Sequence, residues 1–187
     1  MDEEAVFKRY DIRGKYPEEI DEEFAERIGK SIGTLAAEKF KSKIVVTKDT
    51  KESSESLKDA LIEGILSTGC EVLDAGTGPT DFTAFIGKRK DAVSVQVTSS
   101  HLPLDFNGFK FMYPEGNGFK NDDLNRLKHL FREKGFRNGK SDLRRLENPR
   151  EMYKEALKDF IENLNIDFEF NKKIVLDTLG GATDPLV

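Results

Sequence analysis

A hydroxyl cluster beside a histidine is the feature of this sequence best suited to chemistry. Thr98, Ser99, Ser100 and His101 directly follow the apolar run 92–97, which is typical of a buried strand. In open α/β sheets ligands bind outside the carboxyl ends of the strands, so a serine with a neighbouring histidine at this place is a candidate nucleophile. The alternative is a hydroxyl-rich turn with no chemical role, since serine-rich turns are common.

A second group of polar residues lies near the amino terminus and is suited to holding an anion. Tyr10, Asp11 and Arg13 stand in a stretch that mixes aromatic and charged residues and ends at Gly14. A guanidinium group binds phosphate or carboxylate through paired hydrogen bonds, so Arg13 is a candidate phosphate ligand. The alternative is a structural salt bridge between Asp11 and Arg13.

A lysine downstream of the hydroxyl cluster is a third candidate. The Asn-Gly pair at 107–108 is typical of a hairpin turn, and the alternating aromatic residues after it predict a strand over 109–113. This arrangement places Lys110 near Ser100. The same four residue types recur further on and end at Lys120, which we interpret as part of a turn leading into a helix.

Apolar periodicity predicts the elements that must position these residues. Helices are expected over 21–40, 53–68, 80–88 and 121–135, and strands over 43–49, 71–75 and 92–97. Strands that alternate with helices imply right-handed crossover connections and a mostly parallel sheet. We therefore expect an α/β fold: a three-layer α/β/α domain with a mostly parallel mixed sheet.

The last part of the chain has a different character. Residues 137–148 are polar and charged, as in a linker, and Pro149 suits the first turn of a further helix. A strand over 173–177 and a glycine loop follow. The sequence thus predicts a first domain over 1–140 and, over 141–187, a linker, a helix and the first strand of an incomplete second α/β unit.

Charge and composition exclude several classes of protein. The 187 residues carry a formal net charge of −5, which gives no basic footprint for nucleic acid. Cys70 is the one cysteine, so an intrachain disulfide is impossible and a reducing compartment is expected. No apolar run approaches the roughly 20 residues of a membrane span, and the acidic start is unlike a secretory signal. We expect a soluble cytoplasmic protein that binds neither nucleic acid nor membrane.

Five short motifs resemble, in order, those of the α-D-phosphohexomutases, the phosphomannomutase and phosphoglucomutase family. They are Tyr10-Asp11-Ile12-Arg13-Gly14; Lys48-Asp49-Thr50-Lys51 with Ser53-Ser54, in which lysine twice replaces the family's arginine; Gly78-Pro79-Thr80; Thr98-Ser99-Ser100-His101-Leu102-Pro103; and Asn107-Gly108-Phe109-Lys110. The match spans residues 5–120, the family's first domain, and 175–181 resembles the start of its second. The first motif is more similar to the mannose/glucose branch than to the glucosamine branch.

The resemblance implies an enzyme that moves a phosphoryl group between C1 and C6 of a hexose phosphate through a phosphoserine. Ser100 would be that serine and would also bind Mg²⁺ through its phosphate. His101 and Lys110 would be its proton-transfer and cationic partners, Arg13 would stabilise the transferred negative charge, and Tyr10 would shape the pocket. The implied ligands are a hexose phosphate and Mg²⁺.

Two departures from the family pattern leave an alternative open. Leu102 replaces the family's asparagine, which removes hydrogen-bonding groups from the loop. The aspartate-rich Mg²⁺ loop and the sugar- and phosphate-binding domains are absent from this sequence. We expect the N-terminal part of a phosphohexomutase whose other domains lie on a longer chain or on a partner. The face left exposed by those missing domains could also drive self-association of this chain. The alternative is a catalytically silent, stand-alone domain that binds a phosphosugar or a protein.

A serine hydrolase is a third interpretation and the least favoured. That chemistry needs a base, itself oriented by a third group, beside a serine on a nucleophile elbow. The sequence has no Gly-x-Ser-x-Gly motif and only two histidines. His129, the other histidine, lies off the apolar face of its predicted helix, so we expect it to be solvated and without chemical function.

Overall fold

The computed structural model describes residues 5–164 and 173–183. Within these residues the chain forms six strands and five helices. They are β1 (Ile12–Lys15), α1 (Glu22–Lys39), β2 (Lys43–Lys48), α2 (Ser53–Leu66), β3 (Glu71–Thr77), α3 (Thr80–Lys90), β4 (Val93–Val97), β5 (Phe106–Met112), α4 (Asn121–Glu133), β6 (Leu143–Arg145) and α5 (Pro149–Asn163). Every helix and strand expected over residues 21–135 is present, with ends that differ by a few residues.

One mixed sheet carries the fold, with strand order β1-β5-β4-β2-β3-β6. The pairs β4–β2, β2–β3 and β3–β6 are parallel, whereas β5 runs antiparallel to both of its neighbours. Alternate residues of β2 face two cores: Ile44 and Val46 pack with α1, α2 and α4, and Val45 packs with α3 and Tyr153 of α5. Helices therefore cover both faces, and the expected three-layer α/β/α fold is confirmed.

Two local features explain where α1 begins and how closely it packs against α2. The Asp21 carboxylate accepts a hydrogen bond from the Phe24 backbone N–H over 2.8 Å and caps α1. Gly29 of α1 faces α2 so closely that a Cβ there would lie 2.2 Å from the Leu61 carbonyl oxygen. Glycine thus permits the two helices to pack almost backbone against backbone.

The Asn-Gly pair at 107–108 is not a hairpin turn, and that prediction is wrong. Both residues lie inside β5, between β1 and β4, and are buried. The chain instead reverses direction over residues 98–105, which connect β4 to β5. Turn propensity is a local property, and here it is overridden by pairing on both edges of the strand. A Cβ at Gly108 would lie 2.0 Å from the Ile12 carbonyl oxygen, which explains the glycine.

The predicted linker over 137–148 contains a strand, so it is only partly a linker. β6 pairs in parallel with the edge of β3, although all three of its side chains are exposed. Backbone groups at an open sheet edge pair whatever the side chains are, and a strand exposed on its faces leaves no apolar pattern in the sequence. Tyr153 of α5 then packs on Phe82 and Phe85, which ties the start of α5 to the first domain.

Beyond Tyr153, the predicted helix continues to Asn163 but the strand predicted for a second unit is not formed. The expected apolar face of α5 is exposed at Leu157, Phe160, Ile161 and Leu164. Residues 173–177 form no strand, because within the described residues no neighbouring strand pairs with them. The division of the chain into domains over 1–140 and 141–187 remains a prediction, as do its parts in residues 1–4, 165–172 and 184–187, which lie outside the description.

Candidate functional site

Ser100 lies at the turn of the loop between β4 and β5, with its side chain exposed to solvent. Its φ of 60° is in the left-handed region, and its backbone N–H donates to the Thr98 hydroxyl over 2.9 Å. The Ser100 Oγ lies 3.5 Å from the Nδ1 of His101. The serine and histidine predicted from the sequence are therefore side by side, with a hydroxyl that faces open solvent.

A buried carboxylate holds the first half of this loop. Asp49, which follows β2, accepts hydrogen bonds from the hydroxyls of Thr98 (2.7 Å) and Ser54 (2.6 Å) and from the backbone N–H of Lys51 (3.0 Å). The amide of Asn107 in β5 donates to Ser54 over 2.9 Å. One hydrogen-bonded network therefore connects the end of β2, the start of α2, the loop and β5.

The side chain of Lys51 holds the second half of the loop. Its ammonium group lies 2.5 Å from the Ser99 hydroxyl and within 3.0 Å of the backbone carbonyls of Leu102, Pro103 and Phe106. Burial lowers the pKa of Lys51, although the negative charges of Asp49 and Asp105 partly oppose that shift. Lys51 lies in one of the five motifs, but the motif alone indicates no function for it.

Two cavities that share Thr80 contain the candidate site residues. The first, of about 550 Å³, is lined by Ser100, His101, Thr80 and Gln96 and by the 179–183 segment. That segment is connected to the α2 side by a hydrogen bond from the Thr50 hydroxyl to the Gly180 carbonyl over 3.0 Å. The serine cavity is therefore bounded both by the sheet and its loops and by the last described segment of the chain.

The second cavity, of about 740 Å³, contains the other predicted site residues. Tyr10, Arg13 and Lys110 all line it, together with Thr80, which is shared with the serine cavity. Arg13 donates from Nε and Nη2 to one carboxylate oxygen of Asp11, both over 2.8 Å. The structural salt bridge is thus real, and it holds the guanidinium group at the cavity wall. Tyr10 is 60% exposed.

Lys110 belongs to this second cavity and makes no hydrogen bond to Ser100 in the described structure. Its ammonium group lies 3.4 Å from the Thr80 hydroxyl, which donates to the Gln96 side chain over 2.7 Å. Gln96 in turn donates to the Gly78 carbonyl over 2.8 Å. The buried Gln96 is not among the site residues predicted from the sequence, although a glutamine inside an apolar strand is a visible signal.

The described residues include no group of three or more His, Cys, Asp or Glu side chains that would hold a metal ion. Asp177 belongs to no such cluster among the described residues, and its carboxylate accepts a hydrogen bond from the Leu179 backbone N–H over 2.9 Å. These residues do not by themselves fit a Mg²⁺ site. Among the helices described here, none has the length and apolar character needed to cross a membrane.

Comparison with known proteins identifies the family. The model for domain I of the phosphoglucomutases and phosphomannomutases, an alpha/beta/alpha domain, matches residues 4–138 of this chain. The chain belongs to the phosphoglucomutase/phosphomannomutase family. The resemblance inferred from the five motifs is therefore confirmed.

Individual members of the phosphoglucomutase/phosphomannomutase family resemble the chain over most of its length. A phosphoglucomutase/phosphomannomutase of Thermococcus kodakarensis is 37% identical over 95% of this chain and 40% of its own length. A protein named probable phosphoglucosamine mutase, from Thermococcus gammatolerans, is 36% identical over 91% of this chain and 37% of its own length. The chain thus spans about two fifths of the length of these relatives, and the branch within the family remains a prediction.

A crystal structure supports the same assignment. A phosphoglucomutase/phosphomannomutase family protein from Burkholderia thailandensis superposes with a TM-score of 0.74 and 27% sequence identity. The superposition covers 82% of this chain and 35% of that protein. The α/β fold described above is therefore the fold of solved members of this family.

Proposed function

We propose that this chain is the N-terminal part of a phosphohexomutase and that Ser100 carries the phosphoryl group. The observation that supports this most directly is the position of Ser100, which is exposed at the turn of the loop with His101 Nδ1 3.5 Å from its Oγ. The loop itself is held by hydrogen bonds to Asp49 and Lys51. The names of the relatives favour a hexose phosphate as the substrate class. The other domains lie on a longer chain or on a partner.

The proposed step transfers phosphorus between two oxygens. A hydroxyl at C1 or C6 of the hexose phosphate attacks the phosphorus on Ser100 and loses its proton to a base; the bond from phosphorus to Ser100 Oγ breaks, and Oγ regains a proton. The resulting bisphosphate then returns its other phosphoryl group to Ser100. His101 is the proton-transfer group because its ring nitrogen lies next to Oγ.

Charge in the second cavity supports the binding of the phosphorylated sugar. Phosphoryl transfer depends mainly on positioning and on neutralisation of negative charge. Arg13 and Lys110 supply two cations at the wall of the second cavity, which shares Thr80 with the serine cavity, and Tyr10 forms another part of that wall. We assign them to the hexose phosphate, and Thr80 marks the border between the two cavities.

Mg²⁺ is part of this proposal only through Ser100. When bound, the ion would neutralise charge on the phosphate of Ser100, which is the one ligand that the described residues offer. The remaining ligands would come from the other domains, so no step here depends on them. A cytoplasmic location also remains a proposal.

Leu102 does not weaken the assignment as the sequence alone suggests. Its backbone N–H donates to the Ser99 carbonyl over 3.3 Å, and its own carbonyl accepts from Lys51 over 3.0 Å. Both contacts use backbone atoms, which leucine supplies as well as asparagine does. The silent-domain alternative therefore has no support from the shape of the loop.

The test is the phosphorylation state of the protein from its native source, at the length at which it occurs there. Peptide mapping across 98–110, before and after incubation with glucose 1,6-bisphosphate and Mg²⁺, should find one phosphate on Ser100. Ser100→Ala should abolish the modification with the fold unchanged, and Ser99→Ala should retain it. A wild-type protein that stays unmodified after incubation would contradict the proposal.

A further inference from the structure

We propose that Lys51 is a positioning residue: it holds the loop over 99–106 in the shape in which Ser100 accepts and donates a phosphoryl group. This inference rests on the proposed function, and it adds a residue for which the motif alone gives no role. Lys51 stands in the short connection between β2 and α2, two regular elements that lie outside the loop.

The contacts of the ammonium group carry the argument. It has three hydrogens and faces four acceptors: the Ser99 hydroxyl and the carbonyls of Leu102, Pro103 and Phe106. These acceptors lie on both sides of the turn that exposes Ser100 and His101. Pulling them toward one point closes the turn, and hydrogen bonds to a charged donor are about twice as strong as neutral ones.

The two halves of the loop have separate supports. Asp49 fixes Thr98 and, through it, the backbone N–H of Ser100. The second half also has hydrogen bonds of its own: the Ser99 hydroxyl donates to the Phe106 carbonyl over 2.7 Å, and the Tyr16 N–H donates to the Asp105 carbonyl over 2.8 Å. Lys51 adds a single donor group that contacts the carbonyls of Leu102, Pro103 and Phe106 together. Without the ammonium group, the Leu102 carbonyl loses the donor that the described structure gives it, and the carbonyls of Pro103 and Phe106 each keep one other donor. The loop then has reason to open toward water at Leu102.

The same contacts argue against a direct electrostatic role for Lys51 in phosphoryl transfer. Lys51 also lines the serine cavity, but its hydrogens are directed to acceptors within the loop, whereas Arg13 and Lys110 line the second cavity. A positioning role requires hydrogen-bond donors at position 51 but does not require that the residue be lysine. Arginine, which the family motif has here, would satisfy that demand with five donors.

The experiment compares three variants of the native-length protein: Lys51→Met, which keeps the apolar stem without donors; Lys51→Arg, which keeps donors; and Lys41→Met, a matched control. Lys41 is an exposed lysine that pairs with Asp91 on the surface. Hydrogen exchange of the 98–110 peptide, read by mass spectrometry, reports the loop. Single-turnover phosphorylation of Ser100 by glucose 1,6-bisphosphate, at several concentrations, reports the chemistry.

Lys51→Met should speed exchange in the loop by about tenfold, as expected for the loss of one or more hydrogen bonds. It should slow phosphorylation at saturating donor about 100-fold, with little change in the concentration for half-maximal rate. Lys51→Arg should restore both, and Lys41→Met should change neither. If Lys51→Met does not fold, Lys51→Gln, which keeps amide donors without charge, takes its place with a smaller effect on both measurements.

Three results would overturn the inference. They are normal exchange with slow phosphorylation, which would mean direct action of the charge; fast exchange with normal phosphorylation; and no change in either. If the wild type itself is not phosphorylated, the proposed function fails, yet the exchange comparison still decides whether Lys51 holds the loop.

Discussion

The hydroxyl of Thr98 donates to the carboxylate of Asp49 over 2.7 Å and at the same time accepts from the backbone N–H of Ser100 over 2.9 Å. One side chain therefore transmits the position of a buried carboxylate to the proposed nucleophile. Thr98→Val keeps the shape of the side chain and removes both hydrogen bonds. We expect it to lower the free energy of unfolding by about 1–3 kcal/mol, because Asp49 and the Ser100 N–H each lose a partner. Urea denaturation measures this, with Thr50→Val as the control; equal losses in the two variants would contradict the expectation.

Gly108 gives a prediction about the sheet itself. It lies in β5 between two neighbouring strands, and a Cβ there would lie 2.0 Å from the Ile12 carbonyl oxygen. Gly108→Ala should therefore lower the stability by about 1–3 kcal/mol, since neither strand has room to move. Gly118→Ala is a suitable control because no heavy atom lies within 4 Å of a Cβ at that position. Thermal unfolding of the two variants should differ clearly, and identical midpoints would show that the strands can separate.

The two lysines of the repeated tetrad have different surroundings and should have different effects. Lys110 lines the second cavity with Arg13, whereas Lys120 is exposed at the start of α4. Under the proposed function, Lys110→Ala should slow phosphoryl transfer by about 100-fold or more, and Lys120→Ala should leave it unchanged. The rate of conversion of hexose 1-phosphate to hexose 6-phosphate by the native-length protein measures both. If Lys120→Ala is the damaging change, the assignment of the second cavity to the substrate is wrong.

Tyr153 gives a prediction about pH. Burial, together with the hydrogen bond that it donates to Asp81, raises the pKa of Tyr153 from 10.0 to about 12. Because the folded protein holds this proton more tightly than the unfolded chain, the interaction stabilises the fold fully below pH 10. That contribution is lost as the pH rises from 10 to about 12. The stability difference between wild type and Tyr153→Phe should therefore shrink across this interval.

An absorbance titration of the phenol groups tests the same point directly. The chain has four tyrosines, and burial also contributes to a raised pKa for Tyr113. The difference between the titrations of wild type and Tyr153→Phe isolates Tyr153, and it should show a single group that ionises near pH 12. A difference centred near pH 10 would mean that Tyr153 is not held against Asp81.

The elements of the first domain follow from the sequence because their apolar residues repeat at helix or strand spacing and their ends carry local signals. Asp21 is an example of such a signal: it is an acidic residue before an amphipathic run, and it caps α1. β6 is the opposite case. Its three exposed residues have no apolar period, and its pairing depends only on the open edge of β3.

Within the candidate site, the chemistry-bearing side chains were predictable and their supports were not. Ser100 and His101 are adjacent in sequence and follow a clear strand. Lys51 and its acceptors are about fifty residues apart, and nothing local to Lys51 indicates which carbonyls it meets. The position of Lys110 beside Thr80 likewise depends on the register of β5, which the Asn-Gly pair misdirects.

The left-handed backbone of Ser100 limits which nucleophile this loop can use. A φ of 60° is tolerated by serine and suits aspartate or asparagine better, but a β-branched side chain there is strongly disfavoured. Threonine, which has the same hydroxyl and accepts phosphate in many proteins, is therefore excluded by the backbone and not by its reactivity. Aspartate fits the turn and carries a negative charge, so it is the natural mimic of the phosphorylated state. The backbone conformation at position 100 thus favours serine over threonine as the residue that carries the hydroxyl.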